Sequence, residues 1–143
     1  MIVGALVHAA DRVLLCQRAI EPQYGKWTLP AGFMEMHETT AQGAMREMRE
    51  EAGAEATLQR LYSLVDVPHL GQTHLIYRAT LNHEQFYPGE ETLALAMFSE
   101  AEVPWEDIAF ESVRFTLEKF FIDVALQHFD VHVAVGDCAD DSI

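Results

Sequence analysis

Apolar and polar positions divide the chain into short β-like runs and two longer helical ones. Residues 2–8 and 13–18 are rich in β-forming side chains and flank a polar turn at Ala10-Asp11-Arg12. This pattern predicts a hairpin or two neighbouring strands. Glu21-Pro22-Gln23-Tyr24-Gly25-Lys26 is a loop punctuated by Pro and Gly. Trp27-Thr28-Leu29 predicts a short strand ended by Pro30, and residues 31–38 a loop. Further strands are expected around residues 56–67 and 73–81, separated by Pro68-His69-Leu70-Gly71, and around residues 93–98. Val113, Leu117, Phe120 and Val124 recur at helical spacing and predict a helix over 111–128. Residues 131–135 form a last short strand, and residues 136–143 a polar, acidic, frayed tail. Strands, a helix, more strands and a second helix predict an α/β domain over residues 1–135, with a mixed sheet covered on both faces.

The clearest helix spans 39–52. Thr39 is placed to cap its N-terminus, with Gln42 completing a capping box. Ala41, Ala44, Met45, Met48 and Ala52 make one apolar stripe, and Gly53 suits the position just past the end. Glu47, Glu50 and Glu51 crowd onto a different face. Like charges four residues apart cost a helix roughly 0.2–0.5 kcal/mol per pair, so the crowding asks for a reason.

Bulk properties narrow the reasons. The chain has 143 residues, half of them hydrophobic, enough for one domain with its own core. Its net charge of −14 argues against nucleic-acid and anionic-membrane partners. It leaves open an anionic small molecule whose charge is met locally by a metal or by arginine. No apolar run reaches the ~20 residues of a membrane span, and the first residues lack the marks of a signal peptide. Two cysteines, Cys16 and Cys138, cannot build a disulfide framework or a four-cysteine zinc site. The expectation is a reducing, cytoplasmic setting.

Residues 32–54 read GFMEMHETTAQGAMREMREEAGA. Gly32 is followed after five residues by Glu38, and after seven more by Arg46-Glu47. Met48, one residue, Glu50-Glu51, one residue and Gly53 complete the spacing. Glutamates at i, i+3 and i+4 on one helix deliver the oxygen ligands that a hard dication such as Mg²⁺ takes. The alternative, an ordinary solvated charged face, leaves the rest of this spacing unexplained. The segment resembles the Nudix box, departing from it only at Ala54, where a larger aliphatic residue is usual.

The resemblance implies a Nudix α/β/α sandwich with a mixed β-sheet and the Nudix loop–helix–loop. It implies a metal-dependent pyrophosphohydrolase using Mg²⁺, with Mn²⁺ as the alternative. Glu47 and Glu51 would be the main metal ligands, and Glu50 a further ligand or an aid to water. Glu38 would support the cluster, Arg46 would orient the glutamates, and the Ala31 carbonyl would join the metal shell. Gly32 and Gly53 would shape the loops. The general base would come from outside the box. Glu90 and Glu91 follow Pro88-Gly89, and Glu91 fits the pattern of related Nudix proteins better; an exposed acidic turn is the other reading.

Residues 13–18, 27–33 and 103–110 (VLLCQR, WTLPAGF, VPWEDIAF) extend the resemblance to an ADP-ribose pyrophosphatase-like branch, some plant members of which cleave FAD. Members often carry an N-terminal zinc ribbon, which this sequence does not contain. The expected substrate is a nucleoside diphosphate linked to another moiety, ADP-ribose or FAD, giving AMP and X-phosphate. Arg18 would hold a phosphate or ribose oxygen, or else make a surface ion pair. Tyr24 and Phe33 offer faces to a flat ring, whereas Trp27 suits the core. His69 and His74 are substrate contacts or ordinary histidines, and Cys16 is expected to be buried and inert. Two other functions remain: a nucleotide-sensing module without turnover, and a house-cleaning nucleoside triphosphate pyrophosphatase. A homodimer is implied by family habit alone.

Overall fold

The computed structural model describes residues 1–136. Eight strands form one mixed sheet: β1 (Ile2–Ala9), β2 (Arg12–Arg18), β3 (Trp27–Thr28), β4 (Ala31–Phe33), β5 (Ala56–Val67), β6 (Gln72–Leu81), β7 (Thr92–Phe98) and β8 (His132–Val135). Two helices are α1 (Thr40–Ala52) and α2 (Glu111–Leu126). The main path runs β3-β2-β1-β6-β5-β8, with β4 also on β1 and β7 also on β2. β1 lies parallel to β6, and β5 parallel to β8; the other pairs are antiparallel.

Alternation along the central strands builds two cores. Leu6, Val13, Leu15 and Ile76 face α2 and pack with Val113, Leu117, Phe120 and Phe121. Ala5, Val7, Leu14 and Cys16 face α1 and pack with Met48, Ala52 and Ala54. Strands buried on both faces read as unbroken apolar runs, which is why residues 2–8 and 13–18 show no polar alternation. Ala54, the small residue in the box, sits in the α1-side core.

One departure from the expected elements matters for the site. Residues 31–33 are a strand, not a loop. β1 and β2 pair only near their turn, at His8↔Val13 and Ala9↔Arg12. Beyond that the two strands part. β3 then pairs with β2, and β4 with β1 at Ile2–Gly4, with Leu29 and Pro30 spanning between. A fork opens in the sheet. The residues that line it, Ile2, Cys16, Gln17, Arg18, Leu29 and Gly32, also line a cavity of about 430 Å³. At the other end, Gly136, expected in the tail, donates to the Asp66 carbonyl at 2.7 Å. The rest of the expected tail, 137–143, lies outside the described residues.

Candidate active site

α1 carries the carboxylates to the fork. Its start is fixed by the expected capping box, with Thr39 Oγ1 accepting from the Gln42 N–H at 3.1 Å and Gln42 Oε1 accepting from the Thr39 N–H at 2.8 Å. Its end is Gly53, left-handed at φ 55°. Between them Ala44, Met48 and Ala52 are buried, which holds the helix down. The sequence places the three box glutamates away from this buried face. The structure corrects that for Glu47, which is 7% exposed, whereas the Glu50 side chain is 57% exposed. The reason is β4, which covers that side of the helix. A Cβ at residue 32 would overlap the Glu47 carboxylate, so glycine there leaves that carboxylate its place.

Glu47 and Glu51 share a side-chain hydrogen bond, and Glu51 Oε1 accepts the Ala31 N–H at 3.3 Å. Burial, reinforced by the Glu47 charge, raises the Glu51 carboxyl to about 9. Burial also raises Glu47, against the pull of Arg46. Two buried carboxylates held together retain a proton between them unless a cation replaces it.

Arg46 organises the rest. Its Nε and Nη2 donate to the two oxygens of Glu38 at 3.0 and 2.8 Å, a bidentate pair. Nη1 reaches Glu47 at 3.1 Å and Glu50 at 3.3 Å, and Nη2 also donates to the Phe33 carbonyl at 3.1 Å. The hydrogen bonds from Arg46, joined by one from the Glu35 N–H, hold Glu38 down at about 2. Glu35, which the sequence leaves without a role, is exposed and 3.5 Å from Arg46.

The loop before β7 is strapped to the end of α1. Tyr87 N–H donates to the Ala52 carbonyl, and Gly89 N–H and Thr92 Oγ1 donate to the Glu51 carbonyl. A Cβ at Gly89 would strike the Glu50 carbonyl. This close approach sets Glu90 and Glu91 beside Glu47, Glu50 and Glu51, and the five glutamates line a recess of about 320 Å³. Glu91 also lines the larger cavity of about 430 Å³; Glu90 does not.

That larger cavity joins most of the expected site residues. Arg18, Ala31, Gly32, Phe33, Glu47, Glu50, Glu51 and Glu91 all line it. Arg18 is half-buried, donates from Nε to the Pro22 carbonyl at 2.9 Å, and lies over the Phe110 ring at 4.9 Å from its centroid. Burial lowers its pKa, and Glu51, Glu91 and Glu21 act the other way. It makes no surface ion pair among the described residues. Tyr24 is exposed and does not line this cavity, and Trp27 packs edge-on against Phe98. His74 does line it; His69 does not. Cys16 is buried, as expected. Arg46 and Glu38 act from behind the carboxylates. Gln17, Thr92, Phe110 and Ser112 also line the cavity; Gln17 and Phe110 lie in stretches that extend the resemblance, whereas Thr92 and Ser112 carry no motif that marks them.

The donor set suits a hard dication. Glu47, Glu50, Glu51 and Glu91 line one recess, and all are oxygen donors. Among the described residues no three acidic, histidine or cysteine side chains already converge on one point, and Glu50 is drawn toward Arg46.

The NUDIX domain family matches residues 1–123, and the chain belongs to that family. A NUDIX hydrolase from Nitrosomonas europaea is 42% identical in sequence, with a TM-score of 0.90 over 94% of this chain and 76% of its own. An ADP-ribose pyrophosphatase from Streptococcus suis shares the fold at a TM-score of 0.70 and 23% identity, over 92% of this chain and 96% of its own. Among curated relatives, the Danio rerio 8-oxo-dGDP phosphatase NUDT18 is 47% identical over 36% of this chain. The Escherichia coli CTP pyrophosphohydrolase is 40% identical over 40% of this chain and 43% of its own length. The chain covers only 16–20% of the length of the NUDT18 relatives. No helix among the described residues is long and apolar enough to cross a membrane.

Proposed function

We propose that the protein is a Mg²⁺-dependent pyrophosphohydrolase that splits a nucleoside diphosphate linked to another moiety, with ADP-ribose as first substrate and FAD as second. The observation that carries this reading is the clustering of Glu47, Glu50, Glu51 and Glu91 around one recess, at a cavity with a half-buried arginine. A cavity of about 430 Å³ is of the size that takes a small ligand. Glu47, Glu51, Glu50 and the Ala31 carbonyl would hold the Mg²⁺, or Mn²⁺ in its place. A bound dication supplies a water of lowered pKa and neutralises charge on the pyrophosphate oxygens.

The chain's own residues do the remaining work. Glu91 accepts a proton from the attacking water, whose oxygen adds to one phosphorus as the bridging P–O bond breaks. AMP and X-phosphate leave. Arg46 and Glu38 position the glutamates, and Arg18 binds a phosphate or ribose oxygen. Gly32 and Phe33 line the entrance, with Tyr24 available to a second ring beyond it. The protein acts in the cytoplasm, as a homodimer by family resemblance, without nucleic acid or membrane.

Relatives named for 8-oxo-dGDP and CTP favour a second reading, hydrolysis of free nucleotides by the same residues. One assay separates the two. The protein is incubated with Mg²⁺ and ADP-ribose, FAD, CTP or 8-oxo-dGDP, and the products are chromatographed. AMP from ADP-ribose or FAD supports the first reading; turnover of CTP or 8-oxo-dGDP alone supports the second. Absence of any Mg²⁺-dependent product overturns both.

A further inference from the structure

Glu91, the base of the proposed reaction, stands on an exposed turn. The turn spans Gly89 to Thr92 and is closed by the Thr92 N–H, which donates to the Gly89 carbonyl at 3.1 Å; Glu90 and Glu91 are its central residues. The Glu91 carboxylate makes no hydrogen bond or ion pair among the described residues. Its position is therefore decided by where the turn is fixed.

Both corners of the turn are fixed to one atom. The Gly89 N–H donates to the Glu51 carbonyl at 3.2 Å, and Thr92 Oγ1 donates to the same oxygen at 2.9 Å. Glu51 lies in the last turn of α1, where carbonyls lack partners within the helix and take outside donors. One such contact leaves a turn free to pivot; two set its tilt. Thr92 is 7% exposed, and its backbone pairs with Arg18 on β2, while the Glu91 carbonyl accepts the Ala19 N–H at 2.9 Å. Thr92 thus joins the strand that carries Arg18 to the helix that carries Glu51, one residue from Glu91.

We propose that Thr92 is a positioning residue: its hydroxyl fixes the tilt of the turn and so holds the Glu91 carboxylate against the recess of glutamates. This rests on Glu91 as the base of the proposed reaction. A carbon in place of Oγ1 cannot stay 2.9 Å from a carbonyl oxygen, because carbon–oxygen contacts lie at about 3.3–3.6 Å. α1 is held by its caps and its core, so the start of β7 is what draws back. The Glu51 carbonyl keeps the Gly89 N–H, so no buried acceptor is stranded. Misplacement by about 1 Å can cost about 10²-fold in rate, and a fraction of that shift should cost about tenfold.

The test compares Thr92→Val, which keeps the branched shape and loses the donor, with Thr92→Ser, which keeps the donor and loses the methyl. kcat, KM and the Mg²⁺ concentration at half-maximal rate are measured with whichever of ADP-ribose, FAD, CTP and 8-oxo-dGDP is turned over. Thermal melting checks folding, and Thr92→Ala replaces Thr92→Val if the latter melts below the assay temperature. Thr92→Val should lower kcat about tenfold, with KM and the Mg²⁺ requirement within about twofold, and Thr92→Ser should stay near the wild type. In the Glu91→Gln background Thr92→Val should add less than about twofold, because a residue acting through Glu91 has nothing left to act on. Wild-type kcat in Thr92→Val, an equal loss in Thr92→Ser, a raised Mg²⁺ requirement, or the same loss repeated on Glu91→Gln overturns the inference and leaves Glu91 as the base. Glu91→Gln with wild-type kcat removes the base, and the inference with it. Amide hydrogen exchange at residues 89–92 reads the anchor without turnover. It should speed up severalfold in Thr92→Val and not in Thr92→Ser; unchanged exchange in Thr92→Val overturns the inference even where nothing is hydrolysed.

Discussion

At the scale of single residues, the site is a balance of carboxylates against two guanidiniums, Arg46 and Arg18. Glu51 is the group most out of balance. Its folded-state pKa of about 9 lies above the ordinary 4.5, so the folded protein binds the extra proton more tightly than the unfolded chain. The stabilisation is fully present below about pH 4.5 and is lost as pH rises through about 9. The metal-free protein should therefore melt at progressively lower temperature across that window. Glu51→Gln should flatten the slope, and saturating Mg²⁺ should restore the wild type at the alkaline end; melting curves in EDTA and in Mg²⁺ read both effects. A wild-type slope that Glu51→Gln leaves unchanged would locate the titrating group elsewhere. The choice of base is equally local. Glu91 lines both recesses and Glu90 only the smaller. Glu91→Gln should lower kcat by about 10²–10⁴-fold with little change in melting temperature, and Glu90→Gln should leave kcat within a fewfold. The reverse pattern would exchange their roles.

At the scale of elements, α1 is a platform whose ends matter as much as its face. Thr39→Ala removes one half of the capping box and should cost about 1 kcal/mol, read as a shift in denaturant midpoint at constant slope. Because Arg46 and the glutamates ride on the same helix, KM for the metal should rise with it, whereas a purely local cap would leave activity untouched. This helix was legible in the sequence from cap to cap, because capping and apolar periodicity are local signals. The box spacing likewise pointed to the glutamates and to Arg46. What escaped was set by contacts distant in sequence. Residues 31–33 become a strand only because β1 and β2 part and leave β1 an open edge. Glu47 is buried for the same reason, since β4 lies across it. Phe110 and Ser112 reach the cavity because α2 docks on the far face of the sheet, and no short-range pattern announces where a helix start will dock.

At the scale of the whole molecule, the charge of −14 works against the substrate that the site is built to take. On the proposed reading an anionic pyrophosphate approaches a surface of like sign, and its attraction to Arg18 and a bound cation would act only at short range. The field of exposed charges is screened over ~10 Å at 0.1 M salt, so added salt should weaken the long-range repulsion more than it weakens contacts inside a partly buried cavity. With free Mg²⁺ held constant, kcat/KM for ADP-ribose should rise by a factor of roughly two or more between low and physiological ionic strength. Arg18→Ala should lower kcat/KM at every salt concentration while keeping the upward slope, because it removes a local contact and leaves the field of the surface in place. If kcat/KM falls with salt instead, the cation and Arg18 govern the approach as well as the binding. The acidic surface would then be electrostatically separate from the site.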